Sequence, residues 1–357
     1  MRIAQVAPLY ESVPPKLYGG TERVVSYLTE ELVNMGHDVA LYASGDSQTS
    51  AELRSVCDRA LRLEGGKLLS PLAHHLNLIE TVGQEADEFD ILHFHLDYLP
   101  FSLLRRLDSP AVTTLHGRLD IPDLHPLFRE FDDMRLISIS DAQREPMPWA
   151  NWLRTVHHGL PEDLHQATEG PGQYLAFLGR IALEKRLDRA IEIAKRAQMP
   201  LRVAAKIDPA DEEYYEKEIK HLLSGSDVEF VGEICEQKKT AFLGNAAALL
   251  FPIDWPEPFG LVMIEAMACG TPVIAFRGGA VEEVVDDGVT GFVVESVEEA
   301  VEAVQRLPEI SRLECRERFE KRFSVRRMCE DYLAAYERRI WEFKRPGRSK
   351  RGLSLTI

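Results

Sequence analysis

The chain has 357 residues, 45% of them apolar, and a net charge of −16 from 42 Lys plus Arg against 58 Asp plus Glu. That length suits two domains better than one core, and the acidic balance excludes broad nucleic-acid binding, because a polyanion is repelled. No run approaches the roughly 20 apolar residues of a membrane span, and the five cysteines are scattered with no C-x-x-C pair, which fits a reducing cytosol without a disulfide or zinc framework.

In chain order, Ile3 to Ala7 reads as a strand and not as the apolar region of a signal peptide. A Pro-rich loop (Pro14, Pro15) leads to Gly19-Gly20-Thr21-Glu22-Arg23, which opens an amphipathic helix from Thr21 to Met35 that Gly36 stops. Further strands are predicted at Val39 to Ala43, Ile91 to Phe94, Ala111 to Leu115 and Leu136 to Ile139. Residues 160–172 are rich in Pro, Gly, Asp and Glu and carry no period, so they read as a linker between a domain over 1–165 and a second over 166–324. The second half starts afresh with strands at Tyr174 to Leu178, Leu201 to Ala205, Val228 to Val231, Ala247 to Phe251, Val273 to Phe276 and Phe292 to Val294. Helices are predicted between most of them, notably Leu187 to Ala197 and Leu261 to Ala268. Two successive runs of alternating strand and helix imply two doubly wound, Rossmann-like parallel sheets facing one another across a cleft. A last helix over 325–343 repeats apolar residues at helical spacing (Met328, Tyr332, Tyr336, Ile340). The tail, 344–357, is basic through Lys344, Arg345, Arg348, Lys350 and Arg351. It suits a solvated, solubilising terminus, the favoured reading, or weak contact with anionic lipid headgroups.

The most informative run is Pro256-Glu257-Pro258-Phe259-Gly260-Leu261-Val262-Met263-Ile264-Glu265, between the apolar strands Ala247 to Phe251 and Val273 to Phe276. In an open α/β sheet such a strand–loop–helix–strand unit holds its ligand at the loop. Gly260 leaves bare backbone at a helix start, where free N–H groups and the dipole favour an anion. Glu257 and Glu265, with seven residues between them, address one ligand from loop and helix. A nucleotide sugar, with hydroxyls at both ends and charge in the middle, has that layout. Further along the predicted cleft, Arg180 and Lys185 flank a strand end and can converge on one diphosphate as a planar fork and a point charge. Lys206 ends the next strand, and His116-Gly117 ends a strand of the first half.

This set resembles the E-x7-E and G-R-x-x-x-E-K motifs of retaining glycosyltransferases of the family 4 type, which have the GT-B fold. The likeness spans essentially the whole chain and is strongest from Gly179 to Thr290. It implies that Glu257 meets sugar hydroxyls, Glu265 the ribose, and Arg180 and Lys185 the diphosphate. It also implies that His116 meets the transferred sugar or phosphate, and that the N–H groups of Phe259, Gly260 and Leu261 lie near the phosphates or sugar. Gly19 and Gly20 then correspond to the first-domain glycine loop, and Gly278-Gly279 to a small-residue turn facing the phosphates. Lys206 stands where small residues are usual and is a third candidate cation. By the same resemblance the helix over 325–343 crosses back to the first domain, no metal or cofactor is needed, and attack from the front face retains the anomeric configuration.

The acceptor is less legible. His93 and His95 alternate on one strand face beside Asp97 and mimic a metal cluster. Without a third converging ligand in a defined pattern they read as acceptor-side or packing residues. Asp120 and Asp123 are further candidates to meet acceptor hydroxyls. The expected reaction is transfer of a hexose from a UDP- or GDP-sugar, UDP-glucose slightly preferred, to a hydroxyl of a sugar, lipid-linked or small-molecule acceptor in the cytoplasm. A nucleotide-sugar epimerase and a non-catalytic nucleotide-sugar sensor remain open alternatives. A dehydrogenase does not, because no G-x-G-x-x-G occurs.

Overall fold

The computed structural model describes residues 1–16, 19–64, 70–225 and 227–345. The tail cations Arg348, Lys350 and Arg351 lie outside them. The first sheet contains β1 (Arg2–Val6), β2 (Asp38–Tyr42), β3 (Glu52–Arg54), β4 (Ile91–Phe94), β5 (Ala111–Thr114), β6 (Leu136–Ser138) and β7 (Trp152–Thr155), in the order β3-β2-β1-β4-β5-β6-β7. The second contains β8 (Tyr174–Arg180), β9 (Leu201–Lys206), β10 (Val228–Phe230), β11 (Ala246–Phe251), β12 (Val273–Phe276) and β13 (Gly291–Val294), in the order β10-β9-β8-β11-β12-β13. Neighbouring strands pair in parallel in both sheets. The winding direction reverses between β1 and β4 in one sheet and between β8 and β11 in the other. At such switch points the loops part and leave a crevice at the strands' carboxyl ends.

Helices cover both faces of each sheet. Val24 and Leu28 of the helix Gly20–Asn34 pack with Ile3 and Ile91 of the sheet. The same cluster takes in Met328, Tyr332 and Tyr336 of the helix Val325–Lys344, which thus returns to the first domain. The Ser324 side chain caps that helix by accepting from the Arg327 N–H, and pairs such as Arg326–Glu330 and Arg338–Glu342 lace its exposed face. The chain crosses between domains twice, at 159–160 and 324–325, and the crossings are tied together. Leu160 N–H donates to the Phe323 carbonyl at 2.9 Å, and Val325 N–H to the Leu160 carbonyl at 2.8 Å. A Cβ on Gly159 would lie 2.3 Å from the Ser324 carbonyl oxygen, so only glycine allows this approach. Among the described residues no helix is long and apolar enough to cross a membrane.

Candidate active site

The two switch points face each other, and between them lies a cavity of about 300 Å³. From the first domain come Gly19, Gly20 and His116; from the second come Arg180, Lys185 and Lys206, at or just after the ends of β8 and β9. Arg180 and Lys206 are register partners across that strand pair. The loop after β11 adds Glu257, Phe259 and Gly260, and the helix Leu261–Ala268 adds Leu261 and Glu265. Gly260 has φ +80° at the start of that helix, a conformation that costs other residues strain.

The cations of this wall are held by carboxylates. Lys185 Nζ donates to Glu257 Oε2, which also accepts from Trp255 Nε1 at 3.1 Å. The Lys185 ammonium lies 4.8 Å from the centre of the Trp255 ring. Arg180 donates to Glu184 at 2.7 Å and lies 3.3 Å from Asp211. Glu265, 3% exposed, accepts on Oε1 from Lys239 at 2.6 Å and from Arg23 of the first domain at 3.1 Å. Both cations lie 3.2 Å from Glu236 as well. Burial pushes the Glu265 carboxyl upward, but Lys239 and Arg23 outweigh it and hold the group below the usual carboxylate range. His165, Glu236 and Glu265 also bring ligand atoms within 4.8 Å of one another. Arg23 and Lys239 already supply positive charge to those carboxylates.

A second cavity of about 380 Å³ adjoins the first and shares Gly19, Gly20, Thr21 and His116 with it. His95 and Asp97 line it. Asp97 has φ +49°, unusual for a side-chain-bearing residue. Desolvation lifts its carboxyl to about 6, against the opposing pull of a hydrogen bond from the His116 backbone N–H. Burial drops the His116 imidazole to about 3 and depresses His95 and His93 as well, so all three are neutral near pH 7.

Several of the expected residues lie outside the cavities, Asp123 among them. His93 lines neither cavity: it is fully buried and engages both ring nitrogens, with the Tyr336 hydroxyl and Thr114 Oγ1, each at 2.7 Å. Asp120 lines neither cavity and instead accepts a two-point bond from Arg118 at 2.7 and 2.6 Å. Gly278 and Gly279 do not line the main cavity but buttress it. Gly279 has φ +55°, and a Cβ there would sit 2.2 Å from the Glu257 carbonyl oxygen. Arg23, Lys239 and His158 were not foreseen as site residues. His158 stacks on His116 with ring centres 5.4 Å apart and lines the main cavity. Its signal was present, since His158-Gly159 follows β7 as His116-Gly117 follows β5.

Two facing doubly wound domains, a cleft between their switch points and a terminal helix crossing back define the GT-B architecture. Residues 18–191 match the family described as Glycosyltransferase Family 4, and residues 164–323 match Glycosyl transferases group 1. The chain belongs to the family 4 type of glycosyltransferase. It is 29% identical to a GDP-mannose-dependent alpha-(1-6)-phosphatidylinositol dimannoside mannosyltransferase of Mycobacterium tuberculosis, over 94% of this chain and 95% of that protein. It is 26% identical to a glycogen synthase of the same species, over 82% of this chain and 81% of the other. Among solved structures, sucrose-phosphate synthase of Thermosynechococcus elongatus has a TM-score of 0.76 at 19% identity, covering 94% of this chain and 98% of that one. HepE of Anabaena, in complex with UDP and glucose, has a TM-score of 0.72 at 16% identity, covering 95% and 100%.

Proposed function

We propose that the protein transfers a hexose from a UDP- or GDP-sugar to a hydroxyl acceptor with retention of configuration and without metal. One observation carries this reading: Arg180, Lys185, Lys206, Glu257 and the start of the helix Leu261–Ala268 converge on one cavity. Cations and oriented N–H groups are the parts that stabilise a departing diphosphate, and a preformed array needs no reorganisation as charge develops. In this reading Arg180 and Lys185 bind the diphosphate and Lys206 adds a third charge. Glu257 exchanges its bond to Lys185 for sugar hydroxyls, and Glu265 holds the ribose. Neither carboxylate acts as a nucleophile. The acceptor enters from the adjoining cavity past Asp97 and attacks from the leaving group's side, with the departing phosphate helping to remove its proton. The mannosyltransferase, synthase and UDP-bound relatives use or hold sugars and nucleotides of this class, which supports the reading.

The test is a panel of UDP- and GDP-sugars read by release of free diphosphate with mixed acceptors, UDP-glucose first, with and without EDTA. The expected result is turnover of one donor class that EDTA leaves intact. Loss of turnover in EDTA, restored by a divalent metal, refutes the metal-free mechanism. Epimerised donor with no diphosphate release refutes transfer.

A further inference from the structure

Behind His116 runs a buried chain of hydrogen bonds that ends on the helix Val325–Lys344. His116 Nε2 meets His95 Nδ1 at 2.8 Å, and His95 Nε2 meets Gln5 Oε1 at 2.9 Å. Gln5 Nε2 donates to the Tyr336 hydroxyl at 3.0 Å, and that hydroxyl meets His93 Nδ1 at 2.7 Å. His93 Nε2 then meets Thr114 Oγ1 at 2.7 Å, and Thr114 lies 3.2 Å from the Tyr332 hydroxyl. Gln5, His93, His95, Thr114, Tyr332 and Tyr336 are each at most 2% exposed.

A neutral imidazole has one N–H and one lone pair, so each ring passes the polarity of one bond to the next. The amide of Gln5 is the only member whose two ends differ in kind, and its orientation is assigned with oxygen toward His95 and nitrogen toward Tyr336. His95 must then carry its proton on Nε2 and accept on Nδ1. His116 must donate from Nε2, which leaves Nδ1 as a bare acceptor. On the other side Tyr336 accepts from Gln5 and donates to His93, and His93 donates to Thr114. Turning the amide over reverses every bond and puts the proton of His116 on Nδ1. Mixed settings leave two donors or two lone pairs facing each other in a buried site, which is costly.

We propose that Tyr336 and Gln5 are positioning residues that act through His95 to hold His116 as its Nε2–H tautomer, so that His116 offers the bound sugar an acceptor and not a donor. This rests on the reading above that His116 meets substrate, and it adds a polarity set from the crossing helix, 331 residues from Gln5. A sugar hydroxyl can donate to such a nitrogen, whereas a phosphate oxygen cannot. The relay therefore assigns His116 to a hydroxyl of the transferred sugar or the acceptor, and not to the diphosphate.

The test is nitrogen-15 NMR of the imidazole groups, which reads which ring nitrogen carries the proton. Wild-type His116 should show the Nε2–H form alone. Tyr336→Phe removes the hydroxyl that the Gln5 Nε2–H group faces, and Gln5→Met cuts the chain one bond nearer. Each should give mixed His116 tautomers and lower kcat by about ten-fold, the scale of losing a partner that orients a metal-bound histidine, with donor KM near wild type. Tyr332→Phe, on the same helix but at the far end of the chain, should leave the His116 signal unchanged. A proton on Nδ1 in the wild type, or an unchanged tautomer in both Tyr336→Phe and Gln5→Met, overturns the proposal. The same signal change in Tyr332→Phe as in the other two also overturns it, since general loosening then explains the effect. His116→Ala with wild-type turnover would refute the substrate contact while leaving the tautomer result standing.

Discussion

Acidification offers a direct measure of the buried histidine cluster. The His116 imidazole falls from an ordinary value of 6.5 to about 3 in the folded protein because burial disfavours its charged form. The folded value is depressed, so the stability contribution is full above the unfolded value of 6.5. It shrinks as pH falls below that point and is lost by about 3. Near pH 5 the unfolded chain is almost fully protonated at this residue and the folded one is not, which integrates to about 2 kcal/mol lost relative to pH 7.5. His93, His95 and His158 are depressed by burial too and add in the same direction. The assay is urea denaturation of wild type and His116→Gln at both pH values. Glutamine removes the titration yet keeps an amide donor for His95. The stability difference between the two proteins should narrow by about 2 kcal/mol on going from about pH 7.5 to about pH 5. Parallel pH profiles would refute the claim that His116 is held neutral by its surroundings.

Other perturbations address the cleft. Arg23→Met strips one of two cations from the buried Glu265 and should lower stability by about 1–3 kcal/mol, read as the denaturation midpoint; an unchanged midpoint would mean that Lys239 alone suffices. Gly260→Ala forces a side chain into φ +80° with its Cβ 2.7 Å from Met263 Cε and 3.1 Å from Phe251 Cζ. It should cost about 1–3 kcal/mol and weaken nucleotide binding by calorimetry, because it displaces the helix start. Glu265→Gln should mainly raise donor KM and weaken free nucleoside diphosphate, whereas Glu257→Gln should mainly lower kcat and leave free diphosphate near wild type. The reverse pattern would exchange the two roles.

The central strands were legible because strands covered on both faces read as continuous apolar runs, as Ala246–Phe251 does. The two missed strands are short and at sheet edges. Glu52–Arg54 has two charged residues of three, and Trp152–Thr155 has only Leu153 fully buried. Edge strands face water on one side, so they lose the apolar signature that marks the centre. In the site, Glu257, Gly260 and Lys185 were readable because each lies in a local run whose turn or helix start gives it meaning. Arg23 and Lys239 were not, because their place depends on Glu265, 242 and 26 residues away. No local pattern records such a pairing. His93 stayed open between acceptor side and packing for a related reason: alternation put it on the same face as His95, and only the returning helix shows that it is covered.

That returning helix has a consequence for how the chain is made. Met328, Tyr332 and Tyr336 close the apolar face formed by Ile3, Val24 and Leu28. During synthesis the first sheet must wait, with that face uncovered, while the whole second domain emerges and folds. A lone first domain is therefore an unfinished object with a greasy flank and a Gln5 side-chain N–H group that lacks Tyr336, suited to recruit a chaperone or to stick to its neighbours. Expressed alone, residues 1–165 should aggregate, and a peptide spanning 324–344 added in trans should keep them in solution.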